Sequence, residues 1–390
     1  MNLRKIGIGL ATLFVMFCVF FTAAFGFIVA TNFENIGKAV NIISLIKIHS
    51  LKELSAAELL EGSMKGMIEA LDDPYSAYLE PEVFKEITER IHGTYAGVGL
   101  LITIAEDDLL TVVSPFKGSP AHKAGILSGD IITAIDGRNT SDMDLETASN
   151  LMRGKPGTKV TLTVYRKNKG EKVYEITREV IEIPSVDGEI ISENPDVGYI
   201  SVSMFNENTG KELAEKVEEL RLKGMKALIL DLRNNPGGAL QAAVEAADVF
   251  IDSGPIVHIK SKYNTEVYKA KKGKTDFPVV VLVNEGSASA SEILAGAIQD
   301  TGAGILVGKK TFGKGVVQSL FKLEDGSAVK LTTAKYLTPD KRDIHKKGIN
   351  PDVVVEMDHE ETAQALLNAP DTEKDAQLKK ALEILSKKLQ

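Results

Sequence analysis

The sequence predicts an α/β core on a largely parallel sheet, interrupted by a smaller mostly-β module, flanked by helices and preceded by an N-terminal membrane anchor. Three observations carry this reading. The runs Ala227–Leu232 and Phe277–Val283 are apolar throughout and alternate with amphipathic helical segments; strands apolar on both faces belong to buried parallel sheets. Residues 93–180 instead hold short β-rich runs separated by Gly, Pro and Asn turns. At the start, an uncharged apolar run from Ile6 to Ala30 follows Arg4 and Lys5.

Composition narrows the function. The 390 residues leave room for two or three domains at about 150 residues each. Hydrophobic content of 44% with 26% charged residues is ordinary globular usage and excludes wholesale disorder or a polytopic membrane protein. The net charge of −8 offers no surplus for neutralising phosphates, so no nucleic-acid partner is expected. The single cysteine, Cys18, forbids an intramolecular disulfide and a cysteine zinc site, and the six histidines have no metal-ligand spacing. No metal and no cofactor are expected; any catalysis uses neither metal nor thiol.

At 1.5 Å per residue the run 6–30 makes a helix of about 37 Å, longer than the roughly 30 Å hydrocarbon core. Arg4 and Lys5 keep its N-terminus cytoplasmic and send the rest outside. The alternative is a cleaved signal peptide, for which Ala24-Phe25-Gly26 is a passable site. Phe17 before Cys18 argues against a lipid-anchored cysteine. Residues 1–31 are therefore assigned to an anchor or signal, with an extracytoplasmic body.

In that body, residues 32–92 read as helical, with Leu60, Met64, Met67, Ile68 and Leu71 at helix spacing until Asp72-Asp73-Pro74. The module at 93–180 has strand candidates Val98–Ile104, Leu109–Val113, Asp130–Ile135, Val160–Arg166 and Lys172–Arg178. In the core, 181–358, strands are expected at Gly198–Met204, Ala227–Leu232 and Phe277–Val283, and helices at Lys211–Leu222, Ala239–Ile251 and Ala290–Asp300. The tail, 359–390, is helical apart from Pro370 and has one stripe of Leu378, Leu382, Leu385 and Leu389. The apolar stripes of the terminal helices suit either a second copy, giving a homo-oligomer, or the chain's own core.

Within the module, Gly97-Val98-Gly99-Leu100 leads into a strand. Glycines at 97 and 99 let successive N–H groups converge on an anion, the strand edge can pair with an incoming peptide, and Leu100 and Ile102 can shape an apolar pocket. A tight turn alone is the competing explanation. The long string Gly118-Ser119-Pro120-Ala121-His122-Lys123-Ala124-Gly125-Ile126 through Ile135-Asp136-Gly137 closely resembles the PDZ signature. That resemblance implies capture of a C-terminal carboxylate by Gly97, Val98, Gly99 and Leu100. Arg153 either pairs with a carboxylate or a neighbouring domain, or is a solvated surface residue.

The second centre of interest is Asn284-Glu285-Gly286-Ser287-Ala288-Ser289-Ala290-Ser291-Glu292, a serine-rich turn between a strand and a helix, where α/β folds bind ligands. Ser289-x-x-Glu292 also reads as a capping box, a purely structural role. Gly308-Lys309-Lys310-Thr311-Phe312-Gly313-Lys314-Gly315 contains G-x4-G-K, but Gly315 replaces the Ser/Thr of a phosphate loop and VVQSLFKL after it looks like a strand.

With Leu230-Asp231-Leu232-Arg233-Asn234-Asn235-Pro236-Gly237-Gly238, Gly348-Ile349-Asn350-Pro351-Asp352-Val353 and the upstream Leu71-Asp72-Asp73-Pro74-Tyr75-Ser76-Ala77-Tyr78-Leu79, these strings resemble the carboxy-terminal processing peptidases of serine protease family S41. The resemblance spans about residues 60–355 and implies a ββα-type core with an inserted PDZ domain. It also implies a Ser–Lys dyad: Ser289 as nucleophile, Lys314 as base and Gln318 orienting the lysine. A lysine acts as base only when neutral, which burial or a neighbouring cation favours. Glu292 is ambiguous, because its charge beside Lys314 would hold the ammonium. An oxyanion needs preorganised donors; Gly237, Gly238 and the N–H of Ala290 are placed to supply them, although a glycine pair also serves a simple strand-to-helix turn.

The expected function is an extracytoplasmic serine endopeptidase that cleaves, through an acyl-enzyme, proteins or peptides whose unstructured apolar C-termini the PDZ domain captures. The alternative is an adaptor or pseudoprotease that binds C-termini without cutting. A further expectation is that an empty PDZ domain restrains the site until peptide binds.

Overall fold

A computed structural model describes residues 37–105, 108–271, 275–367, 370 and 374–390, with the single positions 16, 22 and 35. The expected anchor at 6–30 thus lies outside the described residues apart from Met16 and Thr22. Among the described residues no helix is long and apolar enough to cross a membrane. The chain divides into two compact units, Met1–Tyr78 and Leu79–Gln390.

The first unit carries helix α1 (37–49) and α2 (Ala56–Glu69). The helical pattern is broken here because Ser55 and Glu58 form a reciprocal capping box, which starts a new helix. No residue of α2 is buried.

The second unit opens with α3 (Pro81–His92), which the sequence reading did not delimit. Pro81 at its first position and Gly93 at φ +66° after its end are the start and stop signals. The PDZ module follows as β1 (Thr94–Gly97), β2 (Leu100–Ile104), β3 (Leu110–Pro115), α4 (Pro120–Ala124), β4 (Ile131–Ile135), α5 (Leu145–Met152), β5 (Lys159–Arg166), β6 (Gly170–Thr177) and β7 (Glu179–Glu182). Strands β2 to β6 form one sheet in the order β2–β3–β4–β5–β6, while β1 pairs antiparallel with β7, so entry and exit of the module lie side by side. Its core joins Val98, Leu110, Val112, Ile126, Ile132, Leu162 and Ile176.

The remaining chain forms β8 (Val186–Ile190), β9 (Val197–Val202), α6 (Thr209–Leu222), β10 (Ala227–Asp231), α7 (Leu240–Asp248), β11 (Pro255–Ser261), β12 (Thr265–Lys269), β13 (Val279–Val283), α8 (Ala290–Asp300), β14 (Ile305–Gly308), β15 (Val316–Lys322), β16 (Ala328–Leu337), β17 (Val353–Val354), α9 (His359–Leu367) and α10 (Ala376–Leu389). The principal sheet runs β8–β9–β10–β13–β14–β17; all neighbours are parallel except the edge pair β8–β9. Leu228 and Leu230 of β10 face α6, α7 and α8, whereas Ala227 and Ile229 face Leu378, Ala381, Leu382 and Leu385 of α10. Burial on both faces is why the run is apolar without alternation.

The largely parallel sheet is only part of the core. A second, antiparallel sheet pairs β16 with both β15 and β11, and β11 with β12. The sequence reading had only β15 of this sheet, because its strands carry mixed polar and apolar residues on half-exposed faces. It brings β15 and β16 against the carboxyl ends of the parallel strands.

Candidate active site

The turn between β13 and α8 is stitched to the loop after β10. Ser287 Oγ donates to the Leu232 carbonyl (2.8 Å) and Ser291 Oγ to the Asn235 carbonyl (2.9 Å). Asn284 Nδ2 donates to Asn234 Oδ1 (2.8 Å), and the Ala288 N–H to the Asn235 carbonyl (3.0 Å). Two of the three serines are therefore fully buried and engaged with main-chain carbonyls. Ser289 differs. It sits at φ +55°, ψ −112°, a strained backbone for a residue with a side chain, and lines a cavity of about 400 Å³. Ser289 is the N-cap of α8 and makes the reciprocal contacts of a capping box with Glu292; the Ser289 N–H donates to the Glu292 carboxylate (3.0 Å), and the Glu292 N–H also bonds the Ser289 main-chain carbonyl (2.9 Å). Capping and a place on the cavity wall therefore coexist at this residue.

Glu292 is fully buried and binds several elements at once. Its carboxylate accepts from Thr311 Oγ1 (2.6 Å), the Gly313 N–H (2.7 Å), the Lys314 N–H (2.8 Å), the Ser289 N–H (3.0 Å) and the Tyr336 hydroxyl (3.4 Å). Tyr336 also donates to the Ser289 carbonyl (3.1 Å). The serine-rich turn, the lysine loop and β16 thus meet on one carboxylate. Sequence reasoning missed Tyr336 and Thr311, which no local pattern marks.

The loop 309–315 runs into β15 rather than into a helix, which excludes a phosphate loop. Gly313 takes φ +92°, where a Cβ would lie 2.8 Å from the Gly348 nitrogen, and a Cβ on Gly315 would lie 2.7 Å from the His345 nitrogen. Those approaches hold the loop against residues 344–348 and place Lys314 on the cavity wall with Ser289, Gln318 and Lys330. Burial lowers the Lys314 ammonium below the ordinary lysine value, the Lys330 charge lowers it further, and Glu292 acts in the opposite direction. The Gln318 amide nitrogen is buried and has no hydrogen-bond partner among the described residues.

Gly237, Gly238 and Ala290 line the same cavity. A Cβ on Gly237 would stand 2.8 Å from both the Ser289 Cβ and the Ala290 nitrogen, and one on Gly238 would overlap the Phe205 carbonyl. The Gly237 N–H is already given to Asn235 Oδ1 (2.9 Å), which corrects its expected availability as a donor. The N–H groups of Gly238 and Ala290 have no such partner among the described residues.

The PDZ residues gather about a second cavity of about 670 Å³ lined by Val98, Leu100, Ile102, Tyr95, Met152 and Arg153, among others. Gly99 has φ +80° and its carbonyl accepts from Ser119 Oγ (3.0 Å). The Tyr95 ring packs on Gly97, and the Arg153 guanidinium stands 5.4 Å from the centre of that ring; Arg153 is an exposed residue with no ion pair to a carboxylate among the described residues. Arg90 and Met204 line both cavities. Among the described residues no group of acidic, histidine or cysteine side chains is placed to hold a metal ion.

An α/β core whose strand-to-helix turn carries a single serine into a cavity with a lysine, joined to a small mostly-β module, defines a class of hydrolase. Comparison with known families agrees: peptidase family S41 matches residues 196–355, a PDZ domain matches 111–166, and the N-terminal domain of the activating protease CtpB matches 27–83. The carboxy-terminal processing protease CtpA of Bacillus subtilis (strain 168) is 42% identical over 330 residues, covering 84% of this chain and 70% of that protein. The carboxyl-terminal-processing protease of Picosynechococcus sp. is 43% identical over 325 residues, covering 82% and 77%. The chain belongs to peptidase family S41, the carboxy-terminal processing serine proteases, and is a serine peptidase. A putative S41 protease from Bacteroides fragilis shares its fold at 18% identity and TM-score 0.54, covering 88% of this chain and 96% of that one.

Proposed function

We propose that the chain is an extracytoplasmic endopeptidase in which Ser289 and Lys314 form the catalytic dyad and the PDZ domain presents unstructured, apolar C-terminal segments of proteins or peptides. The observation that carries this reading is the division among the three serines. Ser287 and Ser291 are committed to backbone carbonyls, while Ser289 lines the cavity with a lysine whose charged form is disfavoured.

In the reaction, neutral Lys314 Nζ takes the proton from Ser289 Oγ as the oxygen attacks the scissile carbonyl carbon. The N–H groups of Gly238 and Ala290 receive the resulting oxyanion at the N-terminus of α8, where the helix dipole adds positive potential. Gly237 contributes by lacking a side chain rather than by donating. The protonated lysine then gives its proton to the leaving amine, the acyl-enzyme forms, and a water deprotonated by Lys314 releases it. Gln318 orients the lysine by accepting an amine N–H on its amide oxygen, which leaves the amine lone pair for the Ser289 proton. Glu292 positions the nucleophile turn and the lysine loop through their main chains.

Residues 6–30 anchor the chain or direct its export, and the PDZ groove restrains turnover until occupied. The test incubates the full chain with an unstructured apolar-tailed protein beside Ser289→Ala and Lys314→Ala. Turnover by the wild type alone supports the dyad. Equal turnover by all three would refute it, and binding without turnover by any would favour the adaptor.

A further inference from the structure

The catalytic cavity is lined by three basic side chains, Arg90, Lys314 and Lys330, and by no carboxylate, in a chain whose net charge is −8. Arg90 lies in the last turn of α3, and Lys330 lies on β16, opposite Leu320 of β15. Neither Arg90 nor Lys330 has an ion-pair partner among the described residues. The acidic group behind the wall, Glu292, is buried and its oxygens are taken by Thr311 and by the N–H groups of Ser289, Gly313 and Lys314. Two cations thus line the substrate space, which has no carboxylate in its own lining.

Building on the peptidase reading above, we propose that Arg90 and Lys330 select substrates that bring a carboxylate into the stretch of chain occupying the catalytic cavity. Lys330 is half-buried and has lost part of its hydration, so a charge-assisted hydrogen bond to a carboxylate is stronger there than in bulk water, whereas Arg90 is exposed and stands where the two cavities share their lining. The guanidinium of Arg90 suits two-point contact with a carboxylate, while Lys330 acts as a point charge on the opposite element. The neighbouring PDZ groove is mixed, lined by Glu86, Glu89 and Glu146 together with Arg90 and Arg153. A peptide running from the groove past Arg90 and Met204 therefore passes from a lining of mixed charge to one whose only charged side chains are basic. The apolar Ile87, Ile91, Leu240 and Ile293 of the same cavity accept the flanking side chains. The carboxylate is supplied either by an Asp or Glu side chain or by the α-carboxylate of a short tail.

The test uses matched peptides that share one apolar C-terminal tail and differ by Glu or Gln at successive positions about the scissile bond. Binding is read by fluorescence anisotropy on the full chain carrying Ser289→Ala, and kcat/KM on the wild type. The Glu peptide is expected to be preferred by about tenfold at a position in the cavity, with the preference weakened by salt. Arg90→Gln and Lys330→Gln each reduce the Glu/Gln ratio towards one, and Lys330→Glu inverts it in favour of a Lys peptide. A ratio near one in the wild type, or a ratio unchanged in both Gln variants, overturns the proposal. A third peptide pair, free acid against C-terminal amide, distinguishes the source: an amidation effect that disappears in Lys330→Gln places the α-carboxylate in the cavity. The anisotropy ratio needs no bond cleavage, so a preference without turnover would refute the dyad while leaving the cation site standing.

Discussion

The carboxylate of Glu292 accepts the main-chain N–H of Lys314 at 2.8 Å, and through its other donors it holds Ser289 in the same frame. A negative charge beside the proposed general base is an apparent conflict, because it favours the ammonium. The conflict is resolved by where the charge is spent: the oxygens are occupied by peptide N–H groups and hydroxyls, and the burial of Lys314 together with Lys330 outweighs what remains.

Glu292→Gln keeps the volume but turns an NH₂ group toward peptide N–H donors. We expect a loss of about 1–3 kcal/mol in stability and a fall in kcat of at least about tenfold, with KM little changed. Chemical unfolding and steady-state kinetics on the same preparation check both.

The serines of the turn separate by their roles. Ser287→Ala strips the donor from the Leu232 carbonyl and should cost about 1–3 kcal/mol of stability while activity persists. Ser289→Ala gives up only the capping contact of its side chain, a loss of about 1 kcal/mol, and should abolish turnover. Calorimetry and a turnover assay side by side decide this.

The pH dependence follows from Lys314. Its ammonium is disfavoured in the folded protein, so kcat/KM should rise through a pH below the ordinary lysine range. Removing the like charge with Lys330→Gln makes the Lys314 ammonium easier to hold, so its pKa rises and the limb moves to higher pH; Lys330→Arg should leave it in place. For stability the sign is the same: the penalty for a charged Lys314 is fully present below its folded pKa and disappears as pH rises toward the unfolded value. A pH profile of kcat/KM for the three proteins reads the shift, and an unmoved limb in Lys330→Gln would contradict it.

A Cβ at position 238 would overlap the Phe205 carbonyl, and the N–H of this residue has no partner among the described residues. Gly238→Ala should therefore reduce kcat by about 10²-fold or more while substrate still binds. Comparing kcat with the anisotropy-measured Kd separates these effects.

Arg233 and Asp375 form a fully buried pair (2.7 Å) that joins the N-cap of α10 to the loop following β10. Asp375→Ala should cost about 3 kcal/mol, read as a lowered midpoint of chemical unfolding, because Arg233 then keeps Asp231 as its one carboxylate, beside the neutral Gln377 oxygen.

Much of this was legible in the sequence. The parallel strands announce themselves because both faces are buried, and Ala290–Asp300 was delimited correctly because Ser289 and Glu292 mark a helix start. What the pair cannot show is the packing of 231–238 against 284–291, which spends Ser287 and Ser291 on main-chain carbonyls. The antiparallel sheet was mostly hidden, as β11, β12 and β16 alternate weakly and face solvent in part. Lys330 and Tyr336 could not be singled out for that reason: they lie on a strand with no local chemical signature, and reach the site only by tertiary pairing of β15 with β16. Arg90 was invisible because it belongs to an amphipathic surface helix whose role depends on what it packs near.

The most direct test of the dyad is the mass of the enzyme rapidly quenched during turnover of an activated ester of an apolar peptide. The account predicts an adduct of the acyl group on the peptide containing Ser289, absent in Ser289→Ala and accumulating far more slowly in Lys314→Ala. An adduct that maps to another residue, or one formed at the wild-type rate by Lys314→Ala, would contradict it.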